Sequence, residues 1–536
     1  MIFRAIWTIL LLVPALEILA DPPPTVDVSV EEIAADIRVL SDDKTEGRGL
    51  GSKGLQAAAD WHENTFKQLG LAPFFGKRYK QRFKLVGATP DPEAVLKFTV
   101  KGKPPLVPTR LNQFVAVTWD PAHSVVEAPV VYAGHLIVAP DRKWDDVKGT
   151  NLRGKLLLVE VNEPGNRKGG IFDGPQMTWY GRWVYKYLEA ARQGAAGILL
   201  LHTEKGAGYG WHIVRLGWST EDFFRKGQLE TRLGCMGWLN GETANSVVAL
   251  AGQDLASLRQ QAESPDFRPV ELGITAKLTQ KPTFRVLPVE NVAGIIRSKR
   301  PEAKDRYVVV SAHFDHVGTD PKLEGDQIYN GAVDNCSATA AMVGVARHFA
   351  RHPEGLPFNL VFVGVTAEEI GLVGSAYFAR HLPFPTTQVW ANINYEMTNV
   401  WGRTRDVYTW GGQWSELGLV AGEAAKKMGL EYLDFLPDMT GMSFRSDQLS
   451  FAQAGIPAVW LHEGLTGSDG KRDAQAKRLW YYKNRYHKVS DEIEDDWDLQ
   501  GTLQMVEWGV AIIHELGTSS QRPRFYPGSG MGTPKK

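Results

Sequence analysis

Seven residues in the last third of the chain could do chemistry together: His313, Asp315, Asp334, Glu368, Glu369, Glu396 and His487. Imidazole nitrogen and carboxylate oxygen are donors that divalent zinc accepts. Apart from Asp334 and His487, each stands at the end of an apolar run that reads as a buried strand. Open α/β sheets gather their active-site groups in the crevice outside the carboxyl ends of such strands.

The run Val308-Val309-Val310-Ser311-Ala312 closes with His313-Phe314-Asp315-His316. Period-2 alternation puts His313 and Asp315 on one side, so Asp315 can accept the second imidazole proton and fix the tautomer of a metal-binding His313. Alone, a His-x-Asp pair more often has a structural explanation. Asn330-Gly331-Ala332-Val333-Asp334-Asn335-Cys336-Ser337 is a loop that opens a helix. An aspartate there can cap the helix, and its two oxygens can equally bridge two cations. Asn335-Cys336-Ser337 has the form of a glycosylation sequon, discounted because it would lie inside the site. Glu368 and Glu369 end the run Phe362-Val363-Gly364-Val365-Thr366-Ala367. Adjacent carboxylates at the mouth of an apolar strand repel each other and call for positive charge nearby, which a metal pair supplies. One can ligate while the other works as a base. Glu396 ends the run Ile393-Asn394-Tyr395, and Tyr486-His487 stands in a polar loop before Ser490-Asp491-Glu492.

Other motifs carry less. Gly149-Thr150-Asn151-Leu152-Arg153-Gly154-Lys155 has the spacing of a phosphate loop, but Leu156 stands where the magnesium hydroxyl belongs. His316 is as readily structural as supporting, and His348, His352 and His462 read as structural. Tyr209-Gly210-Trp211-His212, Trp218 and Phe223-Phe224 read as a packed loop before a cleft lining. Arg445 and Asp447 could touch substrate or simply hold their loop.

The elements that must position these residues form an α/β fold. After residue 288 the pattern runs strand, loop, helix, with apolar strands expected at 307–312, 359–365, 389–394 and 458–461 and helices at 338–350 and 418–427. That repeat predicts a doubly wound, mostly parallel sheet. Residues 30–40 and 55–69 have helical spacing and belong to the start of the same domain, taken as 21–120. Between 121 and 280 the texture changes to short β-like runs at 129–133, 155–161 and 196–201, with a helix at 185–193. This stretch resembles the protease-associated domain, a β-rich insert without catalytic residues of its own that often walls a substrate cleft. The main domain resumes over 281–518, and the Pro- and Gly-containing tail 519–536 is expected to be disordered.

Taken in this order, the motifs resemble the di-zinc exopeptidase family that holds bacterial leucyl aminopeptidases and glutamate carboxypeptidases. The likeness runs from about residue 29 to 516. It implies that Asp334 bridges two zinc ions, that His313 and Glu396 complete one, and that Glu369 and His487 complete the other. It also implies Glu368 as general base, Asp315 as the residue orienting His313, and Tyr486 as the donor that steadies the oxyanion. The family more often has aspartate at the position of Glu396. Some relatives place the tyrosine before a Ser-Asp pair, where this chain has Ser443-Phe444-Arg445-Ser446-Asp447 and no tyrosine. The implied activity is removal of N-terminal residues from peptides. A carboxypeptidase or dipeptidase would need a basic cluster, for which Arg182, Arg215 and Arg445 stand as candidates. A non-catalytic ectodomain of the receptor-like kind would have lost ligands, and none is missing here.

Bulk properties describe a globular protein and give no sign of a polyanion binder. The 536 residues carry 60 basic and 61 acidic side chains, which leaves no electrostatic footprint for nucleic acid or an anionic membrane. Arg4, an apolar stretch at 5–19 and Ala20 before Asp21-Pro22 form a signal-peptide pattern over residues 1–20, predicting an exported protein, periplasmic or secreted. No later segment is apolar for long enough to span a bilayer. The two cysteines, Cys235 and Cys336, are expected to be free thiols, with Cys336 beside the site.

Overall fold

The computed structural model describes residues 26–532, apart from 121, 166–170, 173–175, 435, 437, 439 and 440. The expected signal peptide lies outside the described residues. The main sheet has ten strands, of which seven are labelled here in chain order: β1 (Lys80–Thr89), β2 (Thr283–Ile296), β3 (Tyr307–His313), β4 (Asn359–Val365), β5 (Val389–Tyr395), β6 (Asp406–Trp410) and β7 (Ala458–Glu463). Their spatial order is β1-β2-β4-β3-β5-β7-β6, with Asp222–Phe224 added beside β1 and Glu431–Tyr432 beside β6.

The central strands β4, β3, β5 and β7 are mutually parallel. The flanks are not: β2 runs antiparallel to both β4 and β1, and β6 antiparallel to β7. The sheet is therefore mixed, with a parallel centre. That centre has the expected doubly wound form, because the chain leaves β3 for β4 on one side and then returns to β5 on the other. β3 is thus the point at which strand order reverses, the place where open α/β sheets bind ligands.

Residue alternation explains the two layers. Val308, Val310, Leu360 and Phe362 point into one core with helices α1 (Val30–Leu40), α2 (Lys53–Gln68), α3 (Ala338–Arg351), α4 (Leu417–Lys427) and α5 (Gln500–Thr518). Val309, Val361 and Val363 point into the other, with Val373–Arg380 and Gln448–Gln453. Every residue of β3, β4 and β5 is buried, as strands covered on both faces must be. Among the described residues, no helix is long and apolar enough to cross a membrane.

A second, seven-stranded sheet is built from Val95–Thr99, Phe114–Val117, Val125–Tyr132, Leu156–Glu160, Gly197–Leu201, Cys235–Leu239 and Val270–Thr279. Two of these strands precede residue 121, so the second sheet starts earlier than the change of texture suggested. Val95–Thr99 alternates exposed and buried residues at the sheet edge, and its Lys97 masks the apolar run. The tail departs from expectation as well. Over the described residues 519–532 it is ordered against the main domain: Phe525 bridges to Ser415, Arg522 donates to the carbonyls of Val389 and Gly455, and Met531 is buried. Proline and glycine here shape an extended strap whose few large side chains dock. Both cysteines are free and buried, as expected.

Gly509, in the middle of α5, lies so close to β5 that a methyl group there would meet the Tyr395 hydroxyl at 1.9 Å. That hydroxyl donates to the Met505 carbonyl at 3.1 Å. Gly509→Ala would gain roughly 1 kcal/mol of helix propensity, but overpacking costs about 1–3 kcal/mol and the hydrogen bond is displaced. The expected outcome is a net loss of stability, read as a lower urea midpoint. A raised midpoint would mean that α5 does not press on Tyr395.

Candidate metal centre

The crevice at the carboxyl ends of β3, β4 and β5 collects every predicted ligand. His313 is the last residue of β3, Glu368 and Glu369 follow β4, and Glu396 follows β5. Asp334 comes from the turn between β3 and α3, and His487 from the loop after the helix Ala474–Asn484. Their donor atoms form two groups that share Asp334: His313, Asp334 and Glu396 in one, and His316, Asp334, Glu369 and His487 in the other.

Asp334 turns one oxygen to each group. His313 Nε2 lies 3.4 Å from Oδ1 of Asp334 and 3.2 Å from Oε1 of Glu396. His487 Nε2 lies 3.3 Å from Oδ2 of Asp334 and 3.1 Å from Oε2 of Glu369. Most of these groups are buried; His487, with its side chain 37% exposed, is the member that faces solvent. Glu368, largely buried, has Oε2 3.8 Å from His313 Nε2.

Backbone in uncommon conformations aims the donors. Ala367, Met397 and His487 all have φ between 42° and 58°, next to or at a candidate ligand. Such left-handed residues cost about 1–3 kcal/mol each and collect at functional sites. The turn before Asp334 is held by Asp491, whose carboxylate accepts the main-chain N–H groups of Val333 and Asp334 at 3.1 Å each, and the Tyr481 hydroxyl at 2.9 Å. Asn335 ties the turn to β5, accepting the Met397 N–H at 2.8 Å.

Asp315 supports the site differently from expectation. Its carboxylate accepts the main-chain N–H groups of Glu368 and Glu369, at 3.1 and 3.4 Å, and stands 3.8 Å from His313 Nδ1. The nearer acceptor for that nitrogen is the Asp315 carbonyl, at 3.1 Å. The main chain of Asp315 is thus the nearer partner of His313, while its side chain holds the main chain of the two glutamates.

His316, which the sequence left undecided, is fully buried with Nδ1 2.7 Å from Oε1 of Glu369. Its Nε2 is buried with no partner. A buried N–H without an acceptor is costlier than an unused lone pair, so the proton belongs on Nδ1, which donates to Glu369. That bond occupies one oxygen of Glu369 and turns the other towards His487. Ser446, also overlooked, donates to Oε2 of Glu396 at 2.8 Å and leaves Oε1 for His313.

Electrostatics divide the carboxylates. Burial raises every one of them, but His313, His316 and His487 outweigh it at Asp334 and hold that carboxyl well below the usual range. At Glu369 burial is outweighed chiefly by His487, which brings the carboxyl to about 2. Glu368 goes the other way. Burial, reinforced by Glu396 and Glu369, lifts it well above an ordinary glutamate despite His313. Burial also lifts Asp447, set close to His313 and Glu396, to about 7. The imidazoles of His313 and His487 would be depressed by burial, but the carboxylates around them hold both well above the ordinary value.

Tyr486 stacks on His487 with ring centroids 4.0 Å apart. Burial raises its phenol, and the charges of Asp334, Glu369, Glu368 and Glu396 raise it further. Of the three arginines, Arg215 is exposed on a short helix, whereas Arg182 and Arg445 are close enough for their charges to oppose each other.

The chain is 28% identical over 287 residues to an aminopeptidase, YwaD, of Bacillus subtilis, a match covering 52% of this chain and 53% of that protein. It is 30% identical over 113 residues to a probable zinc metalloprotease of Pyrenophora teres f. teres, covering 21% of this chain and 23% of that protein. The chain thus spans about half or less of the length of these curated relatives. Among solved structures, an aminopeptidase from Aneurinibacillus sp. strain AM-1 superposes with a TM-score of 0.50 at 20% identity, covering 93% of this chain and 95% of that one, which shows a common fold. The family model described as Peptidase family M28 matches residues 291–511, the segment that contains every candidate ligand.

Proposed function

We propose that this protein is an exported aminopeptidase that holds two zinc ions and hydrolyses N-terminal residues from peptides. The observation that carries the reading is Asp334, with one oxygen in each of two nitrogen-and-carboxylate groups. The donors fit zinc. Neighbouring donor atoms lie 3.1 to 3.4 Å apart within each group, close to the edge of about 3.4 Å in a tetrahedron with ligands about 2.1 Å from the metal. His313, Asp334 and Glu396 would hold one ion, and Asp334, Glu369 and His487 the other. When bound, the pair would supply Lewis acidity and an activated water.

The chain's own residues then have separate tasks. Glu368, whose carboxyl burial lifts above that of an ordinary glutamate, takes a proton from the attacking water and returns it to the leaving amine. The Asp315 carboxylate fixes the main chain of Glu368, which sets where that exchange occurs. Tyr486 donates towards the developing oxyanion from its position over His487. We assign the second sheet to a protease-associated domain that walls the cleft. This rests on contacts near the Ser446 loop, where Met177 N–H donates to the Asp438 carbonyl at 3.0 Å and Trp179 lies against Phe444.

Mass spectrometry of a peptide pool with the zinc-loaded protein, including N-acetylated and C-amidated versions, tests the activity. Loss of single N-terminal residues from unblocked peptides is expected, abolished by chelator, and lowered about 10²-fold or more by Glu368→Gln. Trimming from the C-terminus would replace the assignment by carboxypeptidase. Ser446→Ala should weaken binding of one zinc about 10- to 100-fold and leave the other unchanged, as read by competition with a chelator. Equal weakening of both would separate Ser446 from Glu396.

Zinc takes neutral imidazole, whereas the zinc-free site favours protonated His313 and His487. Zinc uptake at pH 7 should therefore release protons and weaken as pH falls. The measurement is a calorimetric titration in buffers of different ionisation enthalpy, and a buffer-independent heat would contradict it. The sign for zinc-free stability is opposite. Because the folded imidazole values lie above an unfolded value of about 6.5, this contribution is complete below about pH 6.5 and is lost as pH rises through the folded values.

A further inference from the structure

Arg48 lies outside the family-matched segment and offers no metal donor, yet it touches two of the loops that carry the centre. It is buried, at 1% exposure, and its hydrogen bonds go to main-chain carbonyls. Nε donates to Phe314 at 2.9 Å, in the loop between His313 and His316. Nη1 donates to Asn330 at 2.6 Å and to Leu40 at 2.7 Å. Nη2 donates to Gly331 at 3.2 Å and to Asp334 at 3.4 Å. The Arg48 carbonyl in turn accepts the His316 N–H at 3.2 Å.

A buried guanidinium with no carboxylate partner among the described residues is costly unless its donors are well satisfied. Here the planar fork is filled by carbonyls from three separate stretches of chain, a geometry that a single ammonium cannot reproduce. The turn that delivers it is also constrained. Glu46 and Arg48 both have φ of 50°, outside the usual region for side-chain-bearing residues. The turn sits against the site loops with almost no clearance. A methyl group on Gly47 would meet the Gly318 carbonyl oxygen at 2.3 Å, and one on Gly331 would meet the Arg48 guanidinium at 2.8 Å. Asn330 is tied to the same turn a second time, donating to Asp43 at 2.9 Å.

We propose that Arg48 is a positioning residue for the metal centre, fixing the separation between the His313–His316 loop and the Asn330–Asp334 turn. It acts through the main chain of Phe314, Asn330, Gly331 and Asp334. In this way it sets where the shared carboxylate of Asp334 stands relative to His313. The inference rests on the metal-centre reading above for its purpose, but its mechanical part stands on the protein alone.

Three variants in the full chain, Arg48→Met, Arg48→Lys and Gly47→Ala, test it. The first readout is amide hydrogen exchange of the zinc-free protein. Faster exchange confined to residues 314–316 and 330–336, with the second sheet unchanged, is expected for all three. The second readout is zinc affinity by chelator competition, expected to fall about 10- to 100-fold, with kcat lowered and KM little changed. Lysine keeps the charge but loses the fork, so wild-type zinc affinity in Arg48→Lys would overturn positioning in favour of simple charge. Unaltered exchange in both loops would overturn it altogether. Gly47→Ala displaces the turn while retaining Arg48, so it decides the matter if Arg48→Met does not fold. Wild-type protein that binds no zinc or cleaves no peptide would remove the proposed function, while the zinc-free exchange would still report whether Arg48 holds the loops.

Discussion

Like charges forced together in a buried crevice are the constraint on which the rest of this structure depends. Asp315, Asp334, Glu368, Glu369, Glu396, Asp447 and Asp491 all lie near one another, buried or nearly so. Two charges 4 Å apart interact by about 1 kcal/mol in bulk water and about 4 kcal/mol at the effective dielectric of a protein. The protein answers this with three imidazoles around Asp334 and with main-chain N–H groups aimed at Asp315 and Asp491. That answer is incomplete where chemistry is expected. Glu368 has only His313 against several carboxylates, so its proton is held more tightly than in an ordinary glutamate.

The fold makes this crowding geometrically possible. Parallel neighbours β4, β3 and β5 end at one edge of the sheet, so the residues following each of them arrive within a few ångströms without long loops. Because strand order reverses at β3, the chain on either side diverges and leaves a gap above His313. Asp334 enters that gap from the turn into α3, reaching one group with each oxygen. The antiparallel flanks contribute none of the candidate ligands. On one flank β1 pairs with Asp222–Phe224, a main-sheet strand supplied by the same stretch of chain that builds the second sheet.

The candidate ligands were legible because donor type and position coincide. A histidine or glutamate at the mouth of a buried strand is out of place unless something binds it, and this singled out His313, Glu368, Glu369 and Glu396. The residues that hold the donors were not legible for the converse reason. Arg48 bonds to carbonyls 266 to 286 positions away along the chain, which no local pattern encodes. Asp491 acts on the main chain of Val333 and Asp334, and although its neighbours Tyr486-His487 drew attention to the region, nothing in Ser490-Asp491-Glu492 indicates a turn 157 residues upstream. Asp315 shows the same limit: alternation placed it beside His313, but whether carbonyl or carboxylate serves the imidazole depends on the loop's path. The tail was misjudged because composition reports average flexibility, whereas Arg522, Phe525 and Met531 dock individually.

Glu396 shows how a departure from a familial pattern can be absorbed. A glutamate in place of an aspartate carries its carboxylate one methylene further and adds a rotatable bond, so its oxygens need an outside constraint. Ser446 supplies it, and Ser446 is itself held by the Asn394 amide at 2.9 Å. The Asn394 carbonyl oxygen accepts from Ser311 at 2.7 Å, and Ser311 in turn accepts from Asn392 at 2.9 Å. All four are buried inside β3, β5 and the loop before Gln448–Gln453. Polar side chains in such a place are tolerated only when nearly every donor and acceptor is matched. This chain meets that demand in one continuous series ending at the Glu396 carboxylate, except at Asn392 Oδ1, which is buried without a partner. The longer arm is therefore held from the sheet interior through Ser446, with Oε1 turned towards His313.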